Sequence, residues 1–348
     1  MKRTSKVPLS VQVKRKVNSP LKKKPDLDGN TEIMISTGST LLDLAISGGR
    51  VRGGGIPGGI MFEAFGPSSS GKTVLLSEVA GAIQRQEGDI QFNDPEARLN
   101  KQFAQLFDLN TDDLTVHEPD TVTEVFTNIK NWEPKGKAKI HGIMTDSLAA
   151  LSTNLEMDNE DGDKMGMKRA KEFSEGFRKN ARILKQNNYI MGCSNQIRDR
   201  ATTGPGEQFT VPGGKAIGFY ASLRLRFFPP EKINKVKIVQ GKEVKKVIGI
   251  KARVLVYKSS VDAPYREAIL YILFNYGIDD VRANLQFIKD FTENKVYSIG
   301  NSLLDKSIDK SIAVIETDGL EDELKEQVID LWEEIQAKFE TERKPKKR

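Results

Sequence analysis

The chain has 348 residues, 38% hydrophobic and 29% charged, enough for one large core and a smaller satellite domain. No apolar run approaches the ~20 residues a membrane span needs, and the start MKRTSKVPLS carries charge without an apolar stretch, so neither a span nor a signal peptide is expected. Cys193 is the only cysteine, and His117 and His141 are the only histidines; this excludes an internal disulfide, leaves little for zinc or His-based catalysis, and fits a reduced, cytoplasmic setting.

The net charge of +6 is unevenly spread. Residues 1–25 hold nine Lys/Arg and no acid, and the last six, RKPKKR, add five positive charges, so the body between is −8. Nucleic-acid binding must therefore come from local loops or from the tails.

In chain order, residues 1–34 form a basic arm. Its charge runs and Pro8, Pro20 and Pro25 predict irregular, solvated chain. Within it Val7, Leu9, Val11 and Val13 alternate with period two, as in a strand with one buried face. A strand added to a neighbouring subunit's sheet and a solvated tail both fit this pattern. From Ile35 to Asp279 strands alternate with helices. GIMFEAF is a strand, VLLSEVAGAIQRQ a helix, DIQFND a strand and EARLNKQFAQLFDL a helix. LTVHEPD and TVTEVFTNIKNWE repeat the pair. IHGIMTDSLAAL is a buried strand with its loop, MKRAKEFSEGFRKNARILKQNN a helix, and YIMGCSNQ a further buried strand. The alternation predicts an α/β fold with a mostly parallel sheet flanked by helices. IGIKARVLVYK and EAILYILFNYG suit hairpin pairing. Residues 280–348 read as a small C-terminal α/β domain with a basic tail, whose last helix places Leu324, Val328, Leu331, Trp332 and Ile335 on one face.

GPSSSGKT, residues Gly66, Pro67, Ser68, Ser69, Ser70, Gly71, Lys72 and Thr73, matches G-x-x-x-x-G-K-[ST] between a strand and a helix. Such a loop turns backbone N–H groups and a helix N-terminus toward phosphates. Lys72 is expected to reach the β- and γ-phosphates of ATP, and the Thr73 hydroxyl to ligate Mg²⁺. Asp146, at the end of an apolar strand, is the expected carboxylate on the Mg²⁺ side; a helix N-cap is its other role. Glu96, just past a strand end, is the candidate for orienting the attacking water, although alone it equally fits a first-turn helix glutamate.

These motifs line up with a known pattern. GPSSSGKT, Asp94-x-Glu96, TDSLAAL, SNQIR and GGKAIGFYASLRLRF stand in the order and spacing of the RecA recombinase family, and ISTGSTLLDLAI resembles the opening of its ATPase core. The resemblance covers roughly Ile35 to Asp279 and implies a RecA-type P-loop ATPase. Such a protein binds ATP between subunits of a helical homopolymer on single-stranded DNA and exchanges strands with double-stranded DNA. Carried over, Glu96 resembles the catalytic carboxylate, Gln196 the γ-phosphate sensor, Phe103 the residue stacking on adenine, and Lys258 a lysine reaching the neighbour's ATP. The loop Arg198–Gly214 is long and polar, with Arg198, Arg200 and Lys215 available to phosphates and Gly213 and Gly214 allowing close backbone approach. A second loop, Asn154–Met167, resembles the other DNA loop. Its acids Asp158, Glu160, Asp161 and Asp163 repel phosphate, so contacts are expected at Met165, Gly166, Arg169 and Arg178. The acidic run is no EF-hand, because its glycine is misplaced.

Several positions depart from the family. Its second trans-acting lysine is Ser260 here. Ala201 replaces a longer apolar residue, and the loop glutamate is offset, with Phe209 at its position and Glu207 two before. The N-terminal oligomerisation helix gives way to the basic arm, and an acidic tail to RKPKKR. These departures point to a divergent member, phage-encoded origin being one possibility. Mediator proteins remain open as partners, and no membrane partner is expected. A RecA-fold motor such as a hexameric helicase lacks its separate N-terminal domain here. A non-enzymatic DNA-coating protein would not need Lys72, Thr73, Glu96 and Asp146 together.

Overall fold

The chain is described by a computed structural model covering residues 31–99, 109–154, 156, 166–199, 209–292, 294–339 and 343. The expected arm strand over 7–13 and most of the helix expected from Glu96 lie outside these residues. So do Phe103, Met165, Arg200, Ala201, Glu207 and the loop acids Asp158, Glu160, Asp161 and Asp163.

The chain opens with a short strand, β1 (Met34–Ile35), and a helix, α1 (Thr40–Ser47). Ser39 caps α1 by accepting the Leu42 amide, as short polar side chains do at helix starts. β2 (Ile56–Pro57) pairs with β1. Then β3 (Met61–Gly66), α2 (Lys72–Gln84), β4 (Ile90–Asn93), β5 (Leu114–His117), α3 (Val122–Asn131), β6 (His141–Thr145), α4 (Gly166–Gln186) and β7 (Tyr189–Gln196) follow, matching the predicted alternation except between β4 and β5, where residues 96–99 form a turn and irregular chain instead of the expected helix start. The start of α3 reads T-V-T-E: the Glu124 amide donates to the N-cap Thr121 Oγ1 at 3.3 Å, and Glu124 Oε2 reaches back past the cap to accept the Asp120 amide at 2.8 Å.

β8 (Arg198–Asp199) and β9 (Phe209–Thr210) pair across the base of the 198–214 loop, and α5 (Lys215–Tyr220) follows. β10 (Leu223–Phe227), β11 (Glu231–Val239), β12 (Lys242–Ser259), β13 (Glu267–Leu273) and β14 (Gly277–Ile278) complete a ten-stranded sheet. Its order is β14-β13-β12-β10-β3-β7-β6-β4-β5, with β11 on β12. From β10 to β5 every pairing is parallel, and from β10 through β12 and β13 to β14 antiparallel. The predicted pairing of IGIKARVLVYK with EAILYILFNYG is the β12–β13 ladder, Gly249 opposite Leu273 through Leu255 opposite Glu267. β11 was not foreseen. It joins β12 through Gln240 and Gly241, both at positive φ (49° and 77°), the conformation a two-residue hairpin turn requires.

Alternate residues of the central strands face opposite layers. Phe62, Ala64, Met144 and Ile190 join an apolar cluster with α1 and α2, whereas Met61, Ile143, Met191 and Cys193 face α3, α4 and α5. The C-terminal segment holds α6 (Asp280–Asp290), the hairpin β15 (Ser298–Ile299) with β16 (Ser302–Leu303), α7 (Ile308–Asp318) and α8 (Glu321–Ala337). Leu324, Val328 and Trp332 of α8 are buried as expected, joined by Ile329, and all four belong to the α1–α2 cluster. Among the described residues no helix is long and apolar enough to cross a membrane.

Candidate nucleotide site

β3, β4, β6 and β7 run parallel, so their C-terminal ends share one sheet edge, where ligands of open α/β sheets bind. Ser68, Lys72, Thr73, Glu96, Asp146 and Gln196 line one cavity there, of about 220 Å³, with Asp94 on its wall.

The loop after β3 folds over its own lysine. Lys72 Nζ donates to Pro67 O at 2.6 Å and Gly66 O at 3.2 Å, and Ser70 Oγ donates to Pro67 O at 2.8 Å. Lys72 is only 7% exposed, and burial pulls its ammonium down to about 8 against the opposing pull of Asp146 and Glu96. Gly71 stands at φ 101°, left-handed backbone, with Ile272 packed where a Cβ would lie, so only glycine turns the loop into α2. Ser68, Ser69 and Thr73 are exposed at the mouth.

The carboxylates are fixed by neighbours. Ser194 donates its hydroxyl to Asp146 Oδ1. Ser147 Oγ donates to Glu96 Oε1 at 3.1 Å, and Arg98 pairs with Glu96 Oε2 at 2.6 Å. The Leu99 amide donates to Asp94 Oδ2 at 2.5 Å. The Thr73 hydroxyl and the Asp146 carboxylate are hard oxygen donors facing one cavity, a set that suits Mg²⁺, which takes few protein ligands and keeps waters and phosphates. The exposed loop and its lysine suit the phosphates, so the residues present fit Mg·ATP.

Gln196 ends β7 at the cavity wall, and its backbone N–H donates to Asn195 Oδ1 at 3.0 Å. Asn195 Nδ2 donates to the fully buried Glu63 at 3.0 Å and to Pro212 O, in the loop that follows β7, at 3.1 Å. Arg224 Nε closes the group on Glu63 Oε2 at 2.6 Å, its guanidinium 4.4 Å from the Phe65 ring centroid. Glu63, Asn195 and Arg224 were not singled out from sequence. The available signal was a glutamate inside the apolar run GIMFEAF.

The other expected site residues are spread out. Lys258 Nζ caps the end of α5, donating to the carbonyls of Gly218, Phe219 and Ala221 at 2.9, 3.0 and 2.8 Å. Burial and Arg224 lower its pKa, and Glu63 opposes them. Gly166 opens α4, and Arg169 on its first turns is engaged by Glu156 at 2.9 Å. Arg178 is exposed on the same helix, about 13 Å further along the axis. Gly213 and Gly214 take positive φ just before Lys215, the exposed first residue of α5. A Cβ on Gly213 would stand 2.6 Å from Ile217 Cδ1. Beyond the loop, a second cavity of about 270 Å³ lies between Ser69–Val74 and Ile250, Ile272 and Phe274.

The profile of the RecA N-terminal domain matches residues 13–279. The chain belongs to the RecA family. It is 36% identical over 248 residues to Protein RecA of Thermus thermophilus, covering 71% of this chain and 69% of that one. It is 36% identical over 245 residues to Protein RecA of Wolbachia sp. subsp. Drosophila simulans, at 70% and 64% coverage. It is 35% identical over 244 residues to Protein RecA of Borrelia hermsii, at 70% and 65%. Membership carries, in general terms, a RecA-like recombinase role, use of nucleotide with Mg²⁺, DNA binding and self-assembly.

Proposed function

We propose that the chain is a DNA-dependent ATPase that forms ATP-bound helical filaments on single-stranded DNA and catalyses homologous pairing and strand exchange. The observation that carries the reading is one cavity shared by Lys72, Thr73, Glu96, Asp146 and Gln196, with β7 passing from Gln196 directly into the 198–214 loop.

Bound Mg²⁺ would supply Lewis-acid neutralisation of developing phosphate charge. Thr73 and Asp146 would hold it, and Ser194 keeps the Asp146 carboxylate turned to the site. Lys72 leaves the Gly66 and Pro67 carbonyls for phosphate oxygens. Glu96, steadied by Ser147 and Arg98, orients the attacking water and takes its proton. Gln196 meets the γ-phosphate and transmits its presence through Asn195 to Pro212 in the DNA loop. The apolar cavity beside Ser69–Val74, with the half-exposed Phe274 ring, suits a planar base; Phe103 is the other stacking candidate. Arg198, Arg200, Gly213, Gly214 and Lys215 line the strand on one side, and Met165, Gly166, Arg169 and Arg178 on the other. Arg169 exchanges Glu156 for phosphate.

Self-assembly uses the sheet's outer strand. β5 pairs only with β4 among the described residues, and its free side is where residues 7–13 of another copy add. In this reading residues 1–34 are the assembly arm, 35–279 the ATPase and DNA-binding core, and 280–348 the accessory domain, and Lys258 reaches a neighbour's ATP.

The test is ATP hydrolysis with and without single-stranded DNA, with electron micrographs of the same mixtures. DNA-stimulated turnover on helical filaments is expected. DNA-independent turnover by rings or monomers would overturn the recombinase reading while leaving the nucleotide site intact.

A further inference from the structure

The overhanging part of the β11–β12 ribbon lies outside the nucleotide cavity and outside the 154–167 and 198–214 loops. Its residues 242–247 pair with β11 alone, because β13 reaches β12 only from Gly249 onward and β10 only from Val254. The two strands therefore overhang the sheet. They leave it on the edge that carries the nucleotide loop, since β10 ends at Phe227, beside β3's end, just before β11 begins. The overhang, residues 234–239 against 242–247, is about 20 Å long at ~3.3 Å per residue.

From Glu231 to Lys251 there are seven lysines and two glutamates, a net +5 in a body that is otherwise acidic. The register sorts them by face, because directly opposed residues of an antiparallel pair share a side. Lys235 opposes Lys246, Lys237 opposes Val244, and Val239 opposes Lys242. This face holds four lysines and no acid. The other face holds Val236 opposite Lys245 and Ile238 opposite Glu243.

Like charges directly opposed in a ladder are destabilising, and a two-stranded ribbon with no covering layer is marginal in water. The Lys235–Lys246 pair adds the first cost to the second. Asp309 of α7 relieves Lys235 alone, at 3.4 Å; Lys237, Lys242 and Lys246 form no ion pair among the described residues. Edge protection accounts for a charge or two on β11, but not for a one-sided strip with opposed lysines. A polyanion laid on that strip removes the repulsion. Alternate lysines stand about 7 Å apart along each strand, while duplex DNA offers a phosphate every ~3.4 Å per strand and a major groove wide enough, at ~12 Å, for a two-stranded ribbon.

We infer that the lysine face of the β11–β12 ribbon is a nucleic-acid backbone site for double-stranded DNA, separate from the 154–167 and 198–214 loops and independent of nucleotide. It goes beyond the ATPase reading and does not need it.

The experiment measures binding of the full-length protein to a labelled duplex and to the matching single strand, without nucleotide, across a salt series. Lys237→Ala, Lys242→Ala and Lys246→Ala combined should lower duplex affinity at least ~10-fold at low salt and reduce the slope of log K against log salt by about three. The triple arginine replacement should retain both, and Lys72→Ala should leave both unchanged. Duplex binding with wild-type affinity and slope in the alanine variant overturns the site. So does loss of self-association with duplex binding intact, which would make the occupant an acidic face of a second copy, and so does an effect confined to the single strand. If single-stranded DNA fails to stimulate ATPase while duplex binding stays lysine-dependent, only the recombinase reading falls.

Discussion

Two groups of buried and half-buried ionisable side chains flank α2, and they are built in opposite ways. At its N-terminus Lys72 lies among Asp146, Glu96 and loop carbonyls; its ammonium falls to about 8 through burial, and both carboxylates oppose that shift. On its outer side Glu78 rises to about 7, chiefly through burial, with the Ile278 amide and Arg85 opposing and Asp280 adding. Asp43 rises to about 6 for the same first reason, despite hydrogen bonds from Ser36 and Thr37, and half-buried Asp280 is raised as well. The near partners of these three acids are mostly neutral: Ser36, Thr37, Thr40, Asn284 and the Ile278 amide. The first group mixes signs, opens to solvent and leaves a cation for an incoming anion. The second is acid-rich and closed, so a proton is its natural counter-ion. Burial alone does not make a functional site; the presence of an unsatisfied opposite charge at an open mouth does.

The largest test breaks the open group. Glu96→Gln keeps the shape and the Ser147 hydrogen bond but removes the base, so kcat should fall ~10²–10⁴-fold with nucleotide affinity nearly unchanged. Lys72→Ala removes the cation, so nucleotide binding itself should weaken. In the wild type, ATP affinity should decline as pH rises through about 8, where free Lys72 loses its proton. Equilibrium binding and single-turnover hydrolysis separate the two variants. Unchanged hydrolysis in Glu96→Gln would move the base elsewhere.

A third group tests what pairing is worth. Glu63 is fully buried, and Arg224 and Asn195 occupy both its oxygens. Arg224→Ala should destabilise by about 3–5 kcal/mol, because it leaves a buried carboxylate unpaired. Glu63→Leu with Arg224→Met should cost much less. Denaturant midpoints decide this, and equal losses in the single and double variants would mean that the ion pair itself, and not the unpaired carboxylate, accounts for the loss.

How much of this was legible follows the range of the interactions. Asp146, Glu96 and Gln196 each follow or close a strand within a short motif, and Lys72 opens the helix after the β3 loop; parallel strands bring these positions together without further information. The Glu63–Arg224 pair joins residues 161 apart, which no local pattern encodes. Lys258 was expected at a neighbour's nucleotide, and in the single chain it caps α5; a long cation takes the nearest carbonyls when no neighbour is present. The ribbon was missed because K-I-N-K-V-K-I-V reads as solvated charge, although its alternation and the Gln240–Gly241 turn were both present in the sequence.

The smallest effect lies in the closed group and concerns pH. A carboxylate whose folded pKa is raised binds its proton more tightly when folded, so its contribution favours the folded state at low pH and is lost as pH rises through the folded value. For Glu78 the window runs from its ordinary 4.5 to about 7, and for Asp43 from 3.8 to about 6. These groups should therefore lower stability between about pH 4 and 7, against the usual gain from surface carboxylates. Glu78→Gln keeps the acceptor for the Ile278 amide and stays neutral throughout. It should flatten the decline by about one proton and be more stable than the wild type by about 1–3 kcal/mol near pH 8. Because Asp280 begins α6, the gain should appear first as slower amide exchange in α6. Parallel stability curves for the two proteins across that window would show that Glu78 ionises freely when folded, and the contrast between the two flanks of α2 would then lose its acidic half.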